Sequence, residues 1–290
     1  MLFRSATYLD ALQTNQAKIT SITQDAPASS MTLTGAQYAN DQAALGKITG
    51  GYTATVNNVT AANAASVAGN SSVTALTVRD TAANIAANID ALQTHHAKIT
   101  STTQTDAGTP LAITGTQVTN DADALADITP NTYTVQASGT FSASDAITLI
   151  TANSHVAVTI SDTAANIVSN LADLVTNRAQ ITSITQSNAG ALNVSYAQAT
   201  DADTTTTLNK INSGTYTLNV SGVSAANVSS LAANTKVTSM LVTDTSANIA
   251  TNLDALQTNQ AKITSITQSG TPAALDVTYS QVTKIGRAHV

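Results

Sequence analysis

The sequence predicts an α/β solenoid, with a parallel sheet of short strands along one side and short helices along the other. Three observations carry this. The segment DTAANI begins at Asp80 and again at Asp162, and a close copy, DTSANI, begins at Asp244, so the interval is 82 residues both times. A fixed long period marks a stacked repeat array. Within one period, β-branched runs alternate with stretches whose apolar residues recur at helical spacing. The composition is dominated by Thr, Ala, Ser and Asn, and aromatic residues make up only 3% of the chain. Small side chains let backbones stack closely but leave each repeat little apolar area to bury, so stability must come from neighbouring repeats.

Residues 80–161 show the elements in order. Asp80 is placed to cap a helix, its carboxylate accepting from the free amides of the first turn, and Asp162 and Asp244 hold the same place in later copies. Ile85, Ile89 and Leu92 fall at i, i+4 and i+7, which predicts a helix over 81–94. The alternative, an all-β solenoid with these stretches as corners, fits that spacing less well. Ile99–Thr103 is short and β-branched, a strand, with counterparts at 19–23, 181–185 and 263–267. Asp106-Ala-Gly-Thr-Pro is a turn. Leu111 and Ile113 alternate as a second strand, repeated at Leu192/Val194 and Leu275/Val277. A shorter helix is expected over 118–128, then a strand at 133–137 and a third helix over 142–150. Val156, Val158 and Ile160 form the last strand, leading into Asp162.

One period thus holds three strand-then-helix modules of about 25–30 residues. Such a succession gives parallel strands joined by right-handed crossovers. Residues 6–79 read as a partial first repeat, 80–161 and 162–243 as full repeats, and 244–284 as a partial last one. No change in composition marks a linker. The ends, MLFRS at 1–5 and IGRAHV at 285–290, do not fit the repeat. The sequencing-library adapter ATCGGAAGAGCACACGTC translates in one frame as IGRAHV, and its reverse complement contains a frame reading VLFRS, or MLFRS from a GTG start. Both ends are therefore expected to be adapter scars, set aside from fold reasoning.

All 17 acidic residues are Asp, and there is no Cys. Setting Arg4 and Arg287 aside with the scars leaves a net charge of about −8. That balance argues against nucleic acid and against anionic membrane surfaces as partners. No apolar run approaches the ~20 residues of a membrane-spanning helix, so no insertion is expected. Without Cys there is neither a disulfide framework nor Cys-ligated zinc.

The recurring Asn84/Asn88, Asn166/Asn170 and Asn248/Asn252 sit beside small Ala residues and the apolar stripe. They are expected to form a buried amide ladder from module to module. Asp121 and Asp123, like Asp201 and Asp203, suggest calcium, but the copy at Asp41 has Ala43 in the second position. Helix capping and surface solvation account for these acids without a metal. His95 and His96 align with Asn or Gln or Arg in other copies, so they read as drifting surface positions. Thr53/Thr55 and Thr100/Thr102 could line hydroxyl rows, an ice- or glycan-binding pattern, and Asn58-Val-Thr is a glycosylation sequon. No GxSxG elbow, phosphate loop or dinucleotide fingerprint occurs. No catalytic residue, cofactor or metal is expected.

The phrases DTAANIAANIDALQ, ITSITQ, GAQYANDQAALGKI and VSAANVSSL resemble the Ala/Thr-rich repeats of very large secreted surface proteins of alphaproteobacteria, many described as hemolysin-type or calcium-binding. The resemblance covers residues 6–284. It implies an exported, cell-surface or secreted chain acting as an adhesin, stalk or matrix component. Its partners would be an unidentified surface or matrix ligand and the neighbouring repeats of the same chain. Glycine-rich calcium modules are missing here, so calcium is not carried over. The alternative is a ligand-binding solenoid for calcium, glycan or ice, with an enzyme a distant third.

Overall fold

The computed structural model describes residues 8–23, 30–271 and 273–286, with side chains as far as residue 283. The expected scar at 1–5 lies outside the described residues, as do the last four residues of the one at 285–290. The chain gathers into two compact lobes, Met1–Gly139 with Leu149–Ala157, and Thr140–Thr148 with Val158–Val290. The division falls inside the 80–161 repeat and not at a repeat boundary.

In the first lobe the strands are β1 (Ile22–Thr23), β2 (Met31–Thr34), β3 (Ile48–Thr49), β4 (Ala54–Val59), β5 (Val73–Asp80), β6 (Ile99–Gln104), β7 (Leu111–Thr114) and β8 (Val135–Ser138), followed by the start of β9 (Val156–Asp162). β1 pairs with β3, one sheet runs β2-β4-β5-β6, and β7, β8 and the first residues of β9 pair in turn. In the second lobe the rest of β9 pairs with β10 (Ile181–Gln186). A further sheet there runs β11 (Leu192–Ser195), β12 (Leu218–Val223), β13 (Val237–Asp244) and β14 (Ile263–Gln268). Every pairing among the described residues is parallel. Helices fill the crossovers, for example Ala61–Gly69 between β4 and β5. The molecule is therefore α/β, and the all-β alternative is set aside. No helix among the described residues is long and apolar enough to cross a membrane.

The packing follows from the pattern. Val73, Leu76 and Val78 of β5 and Ile85, Ile89 and Leu92 of the helices that follow are all essentially inaccessible to solvent, and helix 61–69 packs on both β5 and helix 89–95. Ala54, Ala61 and Ala64 are wholly buried, which lets helix 61–69 lie close on β4 and β5. Burial depends on the next module. Ile184 is covered where Ile211 bridges to it, and Thr102 where Ile128 does, each left 1% exposed. Ile266, the equivalent in β14, has no such neighbour among the described residues and is 45% exposed.

Several boundaries differ from the sequence expectation. The helix expected over 81–94 is two helices, Ala82–Ala87 and Ile89–His95. At the break, Asn88 N–H bonds to Ile85 O at 3.1 Å while its side-chain amide takes Asn84 O at 2.8 Å. The side chain thus occupies the carbonyl that a continuous helix would offer to the backbone. Asn170 and Asn252 stand at the same break, their amides on Asn166 O and Asn248 O at 2.8 and 2.9 Å, but there the backbone N–H shares the same carbonyl at 3.1 Å. The helix expected over 118–128 starts earlier, as Gly115–Asn120, and resumes as Ala122–Ala126, while Ile128 belongs to a β-bridge. The strand expected at 133–137 runs 135–138. Leu275 and Val277 are in no strand; their equivalents are held by a parallel partner further along the chain.

One corner is left-handed in each copy. Asn58, Gly139 and Gly222 have φ of 56°, 96° and 70°. The register shifts there, between Val56 and Val59 and between Val220 and Val223. Asn and Gly are the residues that tolerate this conformation.

Candidate functional site

The recurring polar residues hold modules together, though not as their spacing suggested. Asp80, Asp162 and Asp244 end their strands, and the helix N-caps are the next residues, Thr81, Thr163 and Thr245, whose hydroxyls accept from Asn84, Asn166 and Asn248 N–H at 3.3 Å. Each Asp reaches backward instead. Asp80 Oδ2 accepts from Ala61 N–H, Asp162 Oδ2 from Ala143 N–H and Asp244 Oδ2 from Ala225 N–H, all at 2.9 Å and all 19 residues apart. Those amides open the helices of the preceding module, so the capping carboxylate is supplied by the neighbouring strand.

The other carboxylate oxygen accepts from the following backbone amide and from an Asn side chain. For Asp162 these are Thr163 N–H at 2.8 Å and Asn166 Nδ2 at 2.7 Å. Burial pushes these three carboxyls up, but the hydrogen bonds they accept outweigh it and hold each below the usual 3.8. The next amide start is answered the same way, Ala82 N–H by Asp106 Oδ1 at 2.7 Å and Ala164 N–H by Asn188 Oδ1 at 2.8 Å.

The far helix end is closed by a cation. Lys98 Nζ donates to Ala68 O at 2.6 Å, in the last turn of helix 61–69, and to Asn70 O at 3.1 Å, just past it. Lys262 Nζ does the same to Ala232 O at 2.7 Å and Asn234 O at 3.2 Å. Helix 61–69 therefore carries a carboxylate at its positive end and an ammonium at its negative end, both from later modules. The middle copy has Gln180 where the lysine would stand.

The expected amide ladder is corrected. Asn84, Asn166 and Asn248 donate to Asp80, Asp162 and Asp244 in their own module, at 2.6, 2.7 and 2.7 Å. Asn88, Asn170 and Asn252 turn back onto their own helix, and these side chains are exposed or half-buried. A side-chain ladder exists elsewhere, on the sheet: Asn219 Nδ2 donates to Asn193 Oδ1 at 3.0 Å, and Ser239 Oγ to Asn219 Oδ1 at 2.6 Å.

The acids expected to be caps or solvated split into two kinds. Asp201 is a cap, accepting from Thr204 N–H at 2.7 Å, and that bond holds its carboxyl below the usual value. Asp41 and Asp121 are only 2% and 4% exposed and make no capping bond. Burial pushes both up to about 6, and the adjacent carboxyls of Asp10 and Asp90 add to it. Asp123 lies 3.7 Å from His96 Nε2 and accepts from Gln93 Nε2 at 2.9 Å. No group of three His, Cys, Asp or Glu among the described residues is placed to hold a metal ion.

The hydroxyl row expected at Thr100/Thr102 is broken, since Thr102 faces the interior and Thr100 bonds to Leu76 O at 3.2 Å. Two open grooves, each about 400 Å³, are lined by neutral side chains, one including Tyr38, Asn63 and Ser66, the other Gln186, Asn212 and Tyr216. Missed from the sequence were the capping boxes Thr34/Gln37, Thr114/Gln117 and Ser195/Gln198, although the T/S-x-x-Q spacing was there to find. Comparison with protein-family models, with curated proteins and with solved structures finds no match.

Proposed function

We propose that this chain is a segment of an α/β solenoid whose work is mechanical: a stalk or multivalent display surface on a secreted or cell-surface bacterial protein, without chemistry of its own. The observation that carries the reading is the carboxylate bond repeated at a constant 19-residue interval, Ala61 to Asp80, Ala143 to Asp162 and Ala225 to Asp244. A bond that recurs in register serves stacking, whereas a catalytic site would need a local departure from the repeat. Many weak contacts spaced along such an array would give avidity to a surface or matrix ligand.

Inserting further copies of residues 162–243 after Thr243 tests the array. Three added modules at about 4.8 Å each should lengthen the particle by about 14 Å per copy. X-ray scattering on a series of insertions reads that slope directly. Insertions that leave length nearly constant, or abolish folding, would refute the solenoid. Ligand binding competes with display, and calorimetry with calcium together with an ice-recrystallisation assay separates the two.

A further inference from the structure

In the first lobe, two pairs of acidic side chains meet where consecutive helices pack. Asp10 on helix Leu9–Thr14 meets Asp41, which opens helix Gln42–Leu45; Asp90 on helix Ile89–His95 meets Asp121, which opens helix Ala122–Ala126. In each pair the second carboxyl is buried and its Oδ2 has no hydrogen-bond partner. A buried ionised carboxylate facing another one with an unsatisfied oxygen is a costly arrangement. A proton on one of the two removes the repulsion and supplies a donor. The surroundings decide which acid takes it. Gln117 Nε2 donates to Asp90 Oδ1 at 3.1 Å, so Asp90 is the partner equipped to stay ionised. Asp121, without a donor, is the one to hold the proton and to donate it toward Asp90.

We propose that Asp10/Asp41 and Asp90/Asp121 are proton-sharing clasps between consecutive modules, which tighten the first lobe in acidic surroundings and loosen before neutrality is reached. The other ionisable side chains on the elements packed around Asp121 are His95, His96, Asp123 and Asp127. Of these, His96 is engaged with Asp123, and Asp90 is the group that acts on Asp121. Around Asp41 they are Asp10, Tyr38 and Lys47, and Asp10 acts on it. The third copy is a built-in control. Ala172 stands where Asp10 and Asp90 stand in theirs, and Asp201, the equivalent of Asp121, turns out to cap Thr204 N–H. Raised carboxyls at about 6 agree with the geometry. Between 3.8 and about 6 the folded chain holds protons that the unfolded chain releases, so raising the pH through that window favours unfolding.

Two measurements on the full chain test this. Carbon-13 titration of the Asp carboxyls should place Asp41 and Asp121 near 6 and Asp201 below 3.8. In thermal melts, the melting temperature should fall from pH 5 to pH 7.5, and the double variant Asp41→Asn/Asp121→Asn should lose most of that fall. Asp41 and Asp121 titrating near 3.8 with the ordinary carboxyls would overturn the proposal. So would a double variant with the wild-type pH profile. Calcium that restores the acid-side melting temperature at pH 7.5 would also overturn it, by making the pairs cation seats. If the double variant does not fold, the carboxyl titration of the wild-type chain decides alone.

Discussion

Replacing Asp162 by Ala removes the bond that joins β9 to the helix of the preceding module. Three donors lose their acceptor: Ala143 N–H, Thr163 N–H and Asn166 Nδ2. Hydrogen bonds to a charged group contribute about 1.5–3 kcal/mol each. Asn166 is exposed and regains water, so its share is small. Ala143 N–H is buried and regains nothing, which alone costs roughly 2 kcal/mol. The expected loss is about 3 kcal/mol in all, or a melting temperature lower by about 6–12 °C for a chain of this size. Exchange of the Ala143 amide should accelerate about 30-fold, the equivalent of ~2 kcal/mol. The pH dependence has a definite sign. The folded carboxyl titrates below 3.8, so its contribution is complete above that value and is lost as the pH falls through the lower one. The variant should therefore be less acid-sensitive than the wild-type chain below pH 4. Asp173→Ala, which removes an exposed side chain, is the control. If the two variants melt together and Ala143 exchange is unchanged, the inter-module bond is not what holds this helix.

Other predictions rest on separate features. Lys98→Met keeps the stem and removes the ammonium from Ala68 O and Asn70 O; urea denaturation should show a loss of about 1 kcal/mol, matched by Lys262→Met. At the left-handed corner, Asn58→Val should cost about 1–2 kcal/mol while Asn58→Gly stays near neutral, read from the same denaturation midpoints. A Cβ at Gly35 would come within 2.9 Å of Asn58 O, so Gly35→Ala should destabilise by about 1–3 kcal/mol, and a neutral result would mean the backbone there gives way. Asn170→Ala removes the side-chain bond to Asn166 O but leaves that carbonyl its backbone donor, Asn170 N–H at 3.1 Å, so it should cost about 0.5–1 kcal/mol, measurable as a slightly lower melting temperature.

The period, the α/β alternation and the inward residues were legible because each is a local pattern. Ile85, Ile89 and Leu92 announce a helix face through their spacing, and all three are buried. Asp80 was legible as special but was assigned to the wrong helix. Spacing shows what a side chain can reach along its own helix, whereas its inter-module partner, Ala61 N–H, arrives through the fold. The constant 19-residue separation was nevertheless present in all three copies. The recurrence of Asn88 is visible in the letters and suggests a ladder; that its amide turns back onto Asn84 O of its own helix is local chemistry that recurrence does not show. Asp41 and Asp121 read as caps or solvated acids, because acids at helix starts usually are. Each is buried and meets a carboxyl from the module before, Asp10 or Asp90, and the Ala172 of the third copy is the one trace of that pairing in the letters.

A ribosome delivers a polypeptide from its N-terminus. The amide that opens helix Ala143–Ala152 finds its acceptor in a residue synthesised 19 positions later. Lys98 likewise answers carbonyls laid down about thirty residues before it. The helices opened by Ala61, Ala143 and Ala225 are each closed by residues made after them. During synthesis each of these helix starts must therefore wait, its first amide without this acceptor, until 19 further residues have been added.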